Sequence, residues 1–407
     1  MQENWNPGTF RDIAEIIMGQ SPEGNTYNRE GIGVPLLNGP TEFTERYPVK
    51  IQYTSKPTKL CSQGDILVCV RGSSTGRVNI SNDVYCIGRG IAAIRANVNS
   101  VTPFVEYQLQ HLIQKILSAT SGSTFPNIDK DSLSKISILI PPKSEQKKIA
   151  AILSTWDSLI EKQSKLIKAK EQRKKAFMQK LLSGEVRFRG YEKAKWKKRF
   201  FKDVFEFVAT NSLSRENLIY DVTETQVYNI HYGDIHAKFK NEILDFAKEN
   251  EVPFIQDEFV VGKKLSFLKD GDLVIADASE DYSGLGECIE VMNVGDNKVV
   301  GGLHVIVARD KSSETINGFR TYLFNNPIVS IELKKLATGV SVYSISKSSL
   351  LGLELLIPSI EEQIKIAGLF KALDDELQLL NDKLQEYRDQ KKGLMQNLLT
   401  GKIRVKV

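Results

Sequence analysis

Ile140-Pro141-Pro142-Lys143-Ser144-Glu145-Gln146-Lys147-Lys148-Ile149-Ala150 returns later in the chain as Ile357-Pro358-Ser359-Ile360-Glu361-Glu362-Gln363-Ile364-Lys365-Ile366-Ala367, at a constant offset of 217 (362 minus 145). The offset then holds without a gap. Asp157 meets Asp374, Lys174-Lys175 meets Lys391-Lys392, Met178-Gln179 meets Met395-Gln396, and Leu181-Leu182-Ser183-Gly184-Glu185-Val186-Arg187 meets Leu398-Leu399-Thr400-Gly401-Lys402-Ile403-Arg404. Solenoid units run to roughly 20–50 residues, so a period this long reads as two tandem domains with equivalent tasks. The echo continues upstream with drifting offsets. Trp5 and Phe10-Arg11-Asp12-Ile13 are answered by Trp196 and Phe201-Lys202-Asp203-Val204, Gly64-Asp65-Ile66-Leu67-Val68 by Gly271-Asp272-Leu273-Val274-Ile275, and Tyr107 by Tyr322. Insertions therefore sit in loops between the Trp segments and the Glu-Gln segments, where specificity is expected to reside.

After the second Glu-Gln segment, apolar residues recur at Ile366, Phe370, Leu373, Leu377, Leu380, Leu384, Tyr387, Leu394 and Leu398, four and three apart, with Lys391 interrupting. This is a heptad seam. The first copy places Ile149, Leu153, Trp156, Ile160, Ile167, Phe177 and Leu181 in the matching slots, while Gln163, Lys170 and Lys174 fill the others. Pro142 and Ser144 fit a helix start, with Ser144 as the cap, and Gly184 and Gly401 fit the ends. Each helix should run roughly 38 residues, about 57 Å. The first carries eleven basic against four acidic side chains, the second six against eight. Opposite bias favours pairing one rod with the other, in the antiparallel sense, over each rod covering only its own domain.

The intervening segments read as mixed, strand-rich domains. Short runs such as Asp65-Ile66-Leu67-Val68-Cys69-Val70 and His304-Val305-Ile306-Val307 are separated by Gly, Asn, Asp and Ser clusters, and Thr102 to Ser118 is the best helix of the first module. Arg71-Gly72-Ser73-Ser74-Thr75-Gly76-Arg77 follows a buried-looking strand and offers two guanidiniums, three hydroxyls and open backbone amides. Such a loop suits base edges and phosphates of DNA, although a solvated hairpin turn has the same composition. Ser121-Gly122-Ser123-Thr124 and Thr338-Gly339-Val340-Ser341-Val342-Tyr343 precede the last strand of each module, and there DNA contact and simple strand entry remain equal alternatives. In the second module Ala278-Ser279-Glu280-Asp281-Tyr282-Ser283-Gly284 takes the place of the Arg71 loop but is acidic, so the two modules should read different sequences.

Composition bounds the function loosely. The chain has 407 residues, 41% of them hydrophobic, and a net charge of +5; its mean hydropathy is −0.25 and its pI about 8.7. These describe a core-forming protein of two to three domains with a mild preference for an acidic partner. Cys61, Cys69, Cys86 and Cys288 lack CxxC spacing and paired histidines, so they read as buried or incidental thiols of a reducing compartment rather than a zinc site. No charged-then-apolar leader and no long apolar run occurs, which points to the cytoplasm. Asn326-Pro327-Ile328 and Ile140-Pro141-Pro142 do not form the Asn/Asp-Pro-Pro-Tyr motif of an adenine methyltransferase. No phosphate loop is present, and Ser283-Gly284-Leu285-Gly286 lacks the context of a dinucleotide fingerprint. His231 and His236 lie close together without a recognisable third ligand or catalytic partner. The basic linker around Glu192 has no acidic nuclease motif. A purely structural coiled-coil scaffold leaves two diverged globular modules unexplained.

Trp then Phe-x-Asp-Ile near the start of each half, Gly-Asp-Ile-Leu-Val followed by Arg-Gly-Ser, and Ile-Pro-Pro-x-x-Glu-Gln-x-x-Ile-Ala running into a long helix closed by Leu-Leu-Ser-Gly-x-x-Arg resemble the specificity (S) subunit of type I restriction-modification enzymes. The match covers essentially the whole chain, twice. The resemblance implies an α+β fold with two target recognition domains, 1–142 and 191–359, separated by two long antiparallel coiled-coil helices in 143–190 and 360–407, with an internal pseudo-twofold repeat. It implies that each domain reads half of a bipartite, asymmetric site in double-stranded DNA. Two methyltransferase (M) subunits and restriction (R) subunits are the implied partners, bringing S-adenosylmethionine, ATP and Mg2+, while this chain holds no cofactor or metal and catalyses nothing. The candidate DNA contacts are Arg71, Ser73, Ser74, Thr75, Arg77, Ser123, Thr124, Lys263, Lys264, Ser279, Tyr282, Ser341 and Tyr343. The alternative is an S-like subunit whose partner combines methylation and cleavage in one polypeptide.

Overall fold

The computed structural model describes residues 5–119, 127–239, 241–248, 251–280, 282, 284–324, 326–339 and 342–406. The chain divides into two compact units, Met1–Lys165 with Asp382–Val407, and Leu166–Asn381. Two 40-residue helices, Lys143–Leu182 and Ile360–Leu399, each contribute to both units. At 1.5 Å per residue each is about 60 Å long. Ser144 lies within the first helical turn rather than at the cap, because the helix already starts at Lys143. In the second copy Ser359 precedes the helix, and its Oγ accepts from the Glu362 N–H at 3.4 Å.

The duplicated residues at these helix ends make the same contacts in each unit. Gln146 Nε2 donates to Pro141 O at 3.0 Å while its Oε1 accepts from the Val101 N–H. Gln363 does the same with Pro358 O, at 3.0 Å, and the Ile316 N–H. Trp5 Nε1 donates to Glu145 Oε2 at 3.0 Å and Trp196 Nε1 to Glu362 Oε2 at 2.9 Å. Arg404 clamps Glu145, and Arg187 clamps Glu362 through Nε and Nη2, both at 2.6 Å. The guanidiniums of Arg404 and Arg187 also lie over the rings of Trp5 and Trp196. The glycine after each helix is left-handed, φ +76° at Gly184 and +73° at Gly401. A Cβ at Gly401 would stand 3.0 Å from the Trp5 ring. Each clasp therefore joins the start of one long helix to the end of the other, so numbers fall along one helix as they rise along its neighbour within a unit.

The seam positions named from sequence are all buried or half-buried. Trp156 and Tyr387 meet edge to face with centroids 6.0 Å apart. The polar positions of the first helix are not left exposed. Gln163 is buried, Lys170 bonds Glu376, and the buried Lys174 is shared between Asp374 and Glu242. Lys391 pairs with Asp157 in the first unit as Lys174 does with Asp374 in the second. Burial desolvates the Asp374 carboxyl and pushes its pKa up, against the opposing pull of Lys174.

In the first unit, an antiparallel sheet runs in the order Ala14–Met18, Ile91–Ala96, Ile66–Cys69, Val78–Ile80. Its Ile66, Val68, Ala92 and Ile94 side chains join Val105, Leu109 and Leu112 of the Thr102–Ala119 helix in one core with Ile149, Leu153, Met395 and Leu398. A five-stranded sheet, Tyr27–Asn28, Gln52–Thr54, Val34–Leu37, Tyr85–Ile87, Leu60–Cys61, lies beside a smaller core around Leu37, Leu67 and Tyr85. The second unit has the five-stranded order Phe205–Val208, Val305–Asp310, Leu273–Ala276, Cys288–Met292, Ile243–Asp245. Its four-stranded sheet is Leu218–Ile219, Phe254–Ile255, Val227–Ile230, Lys298–Gly301.

The repeated Gly-Asp pair is structural in both units. Gly64 (φ +88°) and Gly271 (φ +87°) make the turn that glycine adopts without a Cβ penalty. Asp65 then accepts from the Ser62 N–H at 2.7 Å and from Arg95 Nε at 2.9 Å and Nη2 at 2.7 Å. Asp272 takes the Lys269 N–H at 2.8 Å and Arg309 Nε at 2.8 Å and Nη2 at 2.6 Å. This bidentate lock fixes where the next strand starts, and hence where the loop after it emerges.

Candidate nucleic-acid interface

In the first module the Ile66–Cys69 strand is wholly buried and delivers the chain to Arg71 at the surface. Gly72 (φ +82°) and Gly76 (φ +92°) turn the loop back, closed by the Gly76 N–H to Cys69 O at 2.8 Å and by Thr75 Oγ1 to Gly72 O at 2.7 Å. A Cβ on Gly76 would lie 2.7 Å from Ile113, so glycine is what lets the loop pack on the Thr102–Ala119 helix. The two guanidiniums differ. Arg77 donates to the carbonyls of Pro40 at 3.2 Å, Phe43 at 2.7 Å and Thr44 at 3.4 Å, which commits it to bracing the 40–44 turn. Arg71 is exposed, and among the described residues no side-chain bond holds its guanidinium; its backbone pairs with Asn127. Ser73 is exposed and Ser74 half-buried. Ser123 and Thr124 lie outside the described residues.

In the second module the equivalent strand, Leu273–Ala276, leads through Asp277 into Ala278–Ser279, which pairs with Tyr343–Ser344. Ser279 is buried there and does not face solvent. Tyr282 and Tyr343 are brought together edge to face at 5.0 Å, and the Tyr282 hydroxyl donates to Lys334 O at 3.1 Å. Lys263 and Lys264 are exposed and line a concave pocket of about 390 Å³ with Asn211, Ser212 and Ser266. Ser341 lies outside the described residues.

Sequence reasoning missed a cluster in this module. Val227–Ile230 and Lys298–Gly301 pair in parallel, with Ile230 opposite Gly301, so both strands end at one edge. The residues that follow converge there. The Tyr232 ring lies 4.7 Å from His231, 5.3 Å from His304 and 6.1 Å from His236. His304 Nδ1 is 3.3 Å from Asp277 Oδ1, and His236 Nδ1 is 2.6 Å from Glu287 Oε2 with its Nε2 on Ala278 O. Burial pushes the Asp277 carboxyl up despite the neighbouring His304, and burial lowers the His231 imidazole. The signal was three of the chain's four histidines falling just after β-rich segments, but strand pairing was needed to join them.

The family described as "Type I restriction modification DNA specificity domain" matches residues 2–170 and 193–387. The chain belongs to this family. The MjaVIII type I restriction enzyme specificity subunit of Methanocaldococcus jannaschii is 26% identical to this type I specificity chain over 417 residues, covering 99% of the chain and 94% of the relative. A protein of the same organism assigned as the MjaX type I specificity subunit is 44% identical over 174 residues, 42% of the chain but only 41% of that relative's length. The crystal structure of the type I restriction-modification S subunit from M. genitalium has the same fold, with a TM-score of 0.50 at 17% identity over 97% of this chain and 96% of that one. The Arg71 loop, Tyr282, Tyr343 and the histidine cluster all lie inside the family-matched stretches. Among the described residues, no group of three or more His, Cys, Asp or Glu side chains could hold a metal ion, and no helix is long and apolar enough to cross a membrane.

Proposed function

We propose that this type I specificity chain is the non-catalytic DNA-reading subunit of its complex, with one half of a bipartite, asymmetric site read by each module. One observation carries the reading: the same Trp-Glu-Arg clasp and Gly-Asp-Arg lock recur in both units, while the side chains projected beyond the lock differ. The first module offers an exposed Arg71 whose guanidinium takes no side-chain bond among the described residues, the second a tyrosine pair and a histidine-carboxylate cluster. A shared scaffold with divergent tips suits two half-sites of unlike sequence. On this reading the two long helices, which run antiparallel within each unit, act as a ruler whose length sets the unread spacer. A half-site spacing of one duplex turn, about 34–36 Å, falls within the reach of rods near 60 Å. Linking two modest readouts makes the second effectively intramolecular, which raises affinity without new contacts.

Methyl transfer and cleavage then belong to M and R partners, which supply S-adenosylmethionine, ATP and Mg2+ and carry adenines into their own pockets. Mapping methylated positions in DNA from cells carrying this chain with its M subunit tests the reading. A bipartite motif with two unlike halves at fixed spacing is expected. Methylation at single, undivided motifs, or methyl transfer by the purified chain alone, would overturn it.

A further inference from the structure

Resting on that proposed DNA reading, we propose that His304 is a base-reading group of the second module, its Nε2 accepting the exocyclic amino group of adenine or cytosine. The three histidines around Tyr232 are not equivalent. His231 Nδ1 accepts from the Gly233 N–H at 3.2 Å and the residue is buried. His236 has a carboxylate on one nitrogen and a carbonyl on the other. His304 differs. The Asp277 carboxylate accepts, so the His304 proton sits on Nδ1 and Nε2 carries the lone pair. The side chain is half exposed, and among the described residues no group bonds its Nε2. Its backbone is left-handed, φ +56°, with Leu303 between it and the Gly301-Gly302 pair.

The chemistry follows from the ring. A neutral imidazole presenting Nε2 accepts a hydrogen bond from the exocyclic amino group of adenine or cytosine in the major groove. Guanine and thymine present acceptors in that groove and give the nitrogen no donor to pair with. The groups facing the site are Asp277, with Lys347 acting on it; His231, flanked by Arg215 and Asp234; Tyr232; and His236 with Glu287.

The test uses the complex that co-purifies with the full-length chain. It is incubated with a pool of randomised duplex DNA, and bound sequences are read by sequencing. Wild type should favour adenine or cytosine about tenfold at one position of one half-site. His304→Gly and His304→Asn, both compatible with a left-handed backbone, should abolish that discrimination, leaving the other half-site unchanged. Variants that keep wild-type preferences overturn the inference while the DNA reading stands. Loss of every preference in that half-site also overturns it, since His304 would then hold the module rather than read a base. Failure of wild type to enrich any bipartite sequence overturns the DNA reading itself.

Discussion

Glu362→Ala should destabilise the second unit by about 3–4 kcal/mol. The carboxylate is 1% exposed and receives Arg187 Nε and Nη2 at 2.6 Å each and Trp196 Nε1 at 2.9 Å. Removing one partner of a buried ion pair costs about 3–5 kcal/mol, because the other charge stays buried without compensation. Arg187 is only 12% exposed, but its Nη1 retains Ala194 O at 2.9 Å and its guanidinium retains the Trp196 ring at 4.9 Å. Those two contacts place the loss toward the lower end. Denaturant-dependent hydrogen exchange, read by mass spectrometry on peptides of the full-length chain, separates the units. Peptides spanning Phe205–Val208 and Leu273–Ala276 should lose protection, while Ile66–Cys69 and Ile91–Ala96 of the first unit keep theirs. Arg187→Ala should cost a similar amount, and the double variant clearly less than the two losses added. A loss below about 1 kcal/mol for Glu362→Ala, or strictly additive singles, would refute the reasoning, since the clasp would then be solvated and the repeat of these residues unexplained by packing.

Gly401→Ala should cost about 1–2 kcal/mol and Gly184→Ala less, because both are left-handed but a Cβ at 401 meets the Trp5 ring at 3.0 Å against 3.8 Å for Trp196 at 184; thermal melting checks the order. Arg71→Ala should leave stability within about 0.5 kcal/mol yet cost about 1–3 kcal/mol in DNA affinity or flatten its salt dependence, whereas Arg77→Ala should lower the melting temperature by releasing the 40–44 turn. Glu290 is fully buried, and desolvation raises its pKa from 4.5 to about 7. A raised carboxyl contributes stability present below its unfolded pKa and lost as pH climbs through the folded one, so the second unit should weaken by up to about 3 kcal/mol between pH 4.5 and pH 8, and Glu290→Gln should flatten that slope in urea unfolding. Four residues inserted near Ala169, about 6 Å of helix, should lengthen the methylated site's spacer by one or two base pairs with both half-sites intact.

The helices were legible because their signal is local. Heptad spacing from Ile366 to Leu398, the glycines after each Leu-Leu pair and the fixed offset of 217 all survive in one dimension, and both helices came out at 40 residues. The Gly-Asp pair was visible as a repeat, but its use was not. Arg95 and Arg309 lie 30 and 37 residues beyond their aspartates and reach them only through strand pairing. The candidate interface was read least well for the same reason. Arg71 and Arg77 are equivalent in a list of charges; the neighbouring 40–44 turn, supplied by a distant stretch of chain, occupies Arg77, while among the described residues no side-chain bond holds the Arg71 guanidinium. Ser279 reads as a polar loop residue until its pairing with Tyr343 buries it.

The sequence by itself determined that the chain is doubled, where the long helices run and which family it belongs to, since periodicity and composition depend on neighbours along the chain. Only the tertiary structure decided that each compact unit draws on the start of one long helix and the end of the other, so that Glu145 finds Arg404 and Glu362 finds Arg187 rather than the arginine of its own repeat. It also decided that Tyr232 gathers His231, His236 and His304 about Asp277 and Glu287. Buried charges and ring contacts select partners by distance in space, and desolvation makes a mispaired carboxylate costly enough to fix that choice.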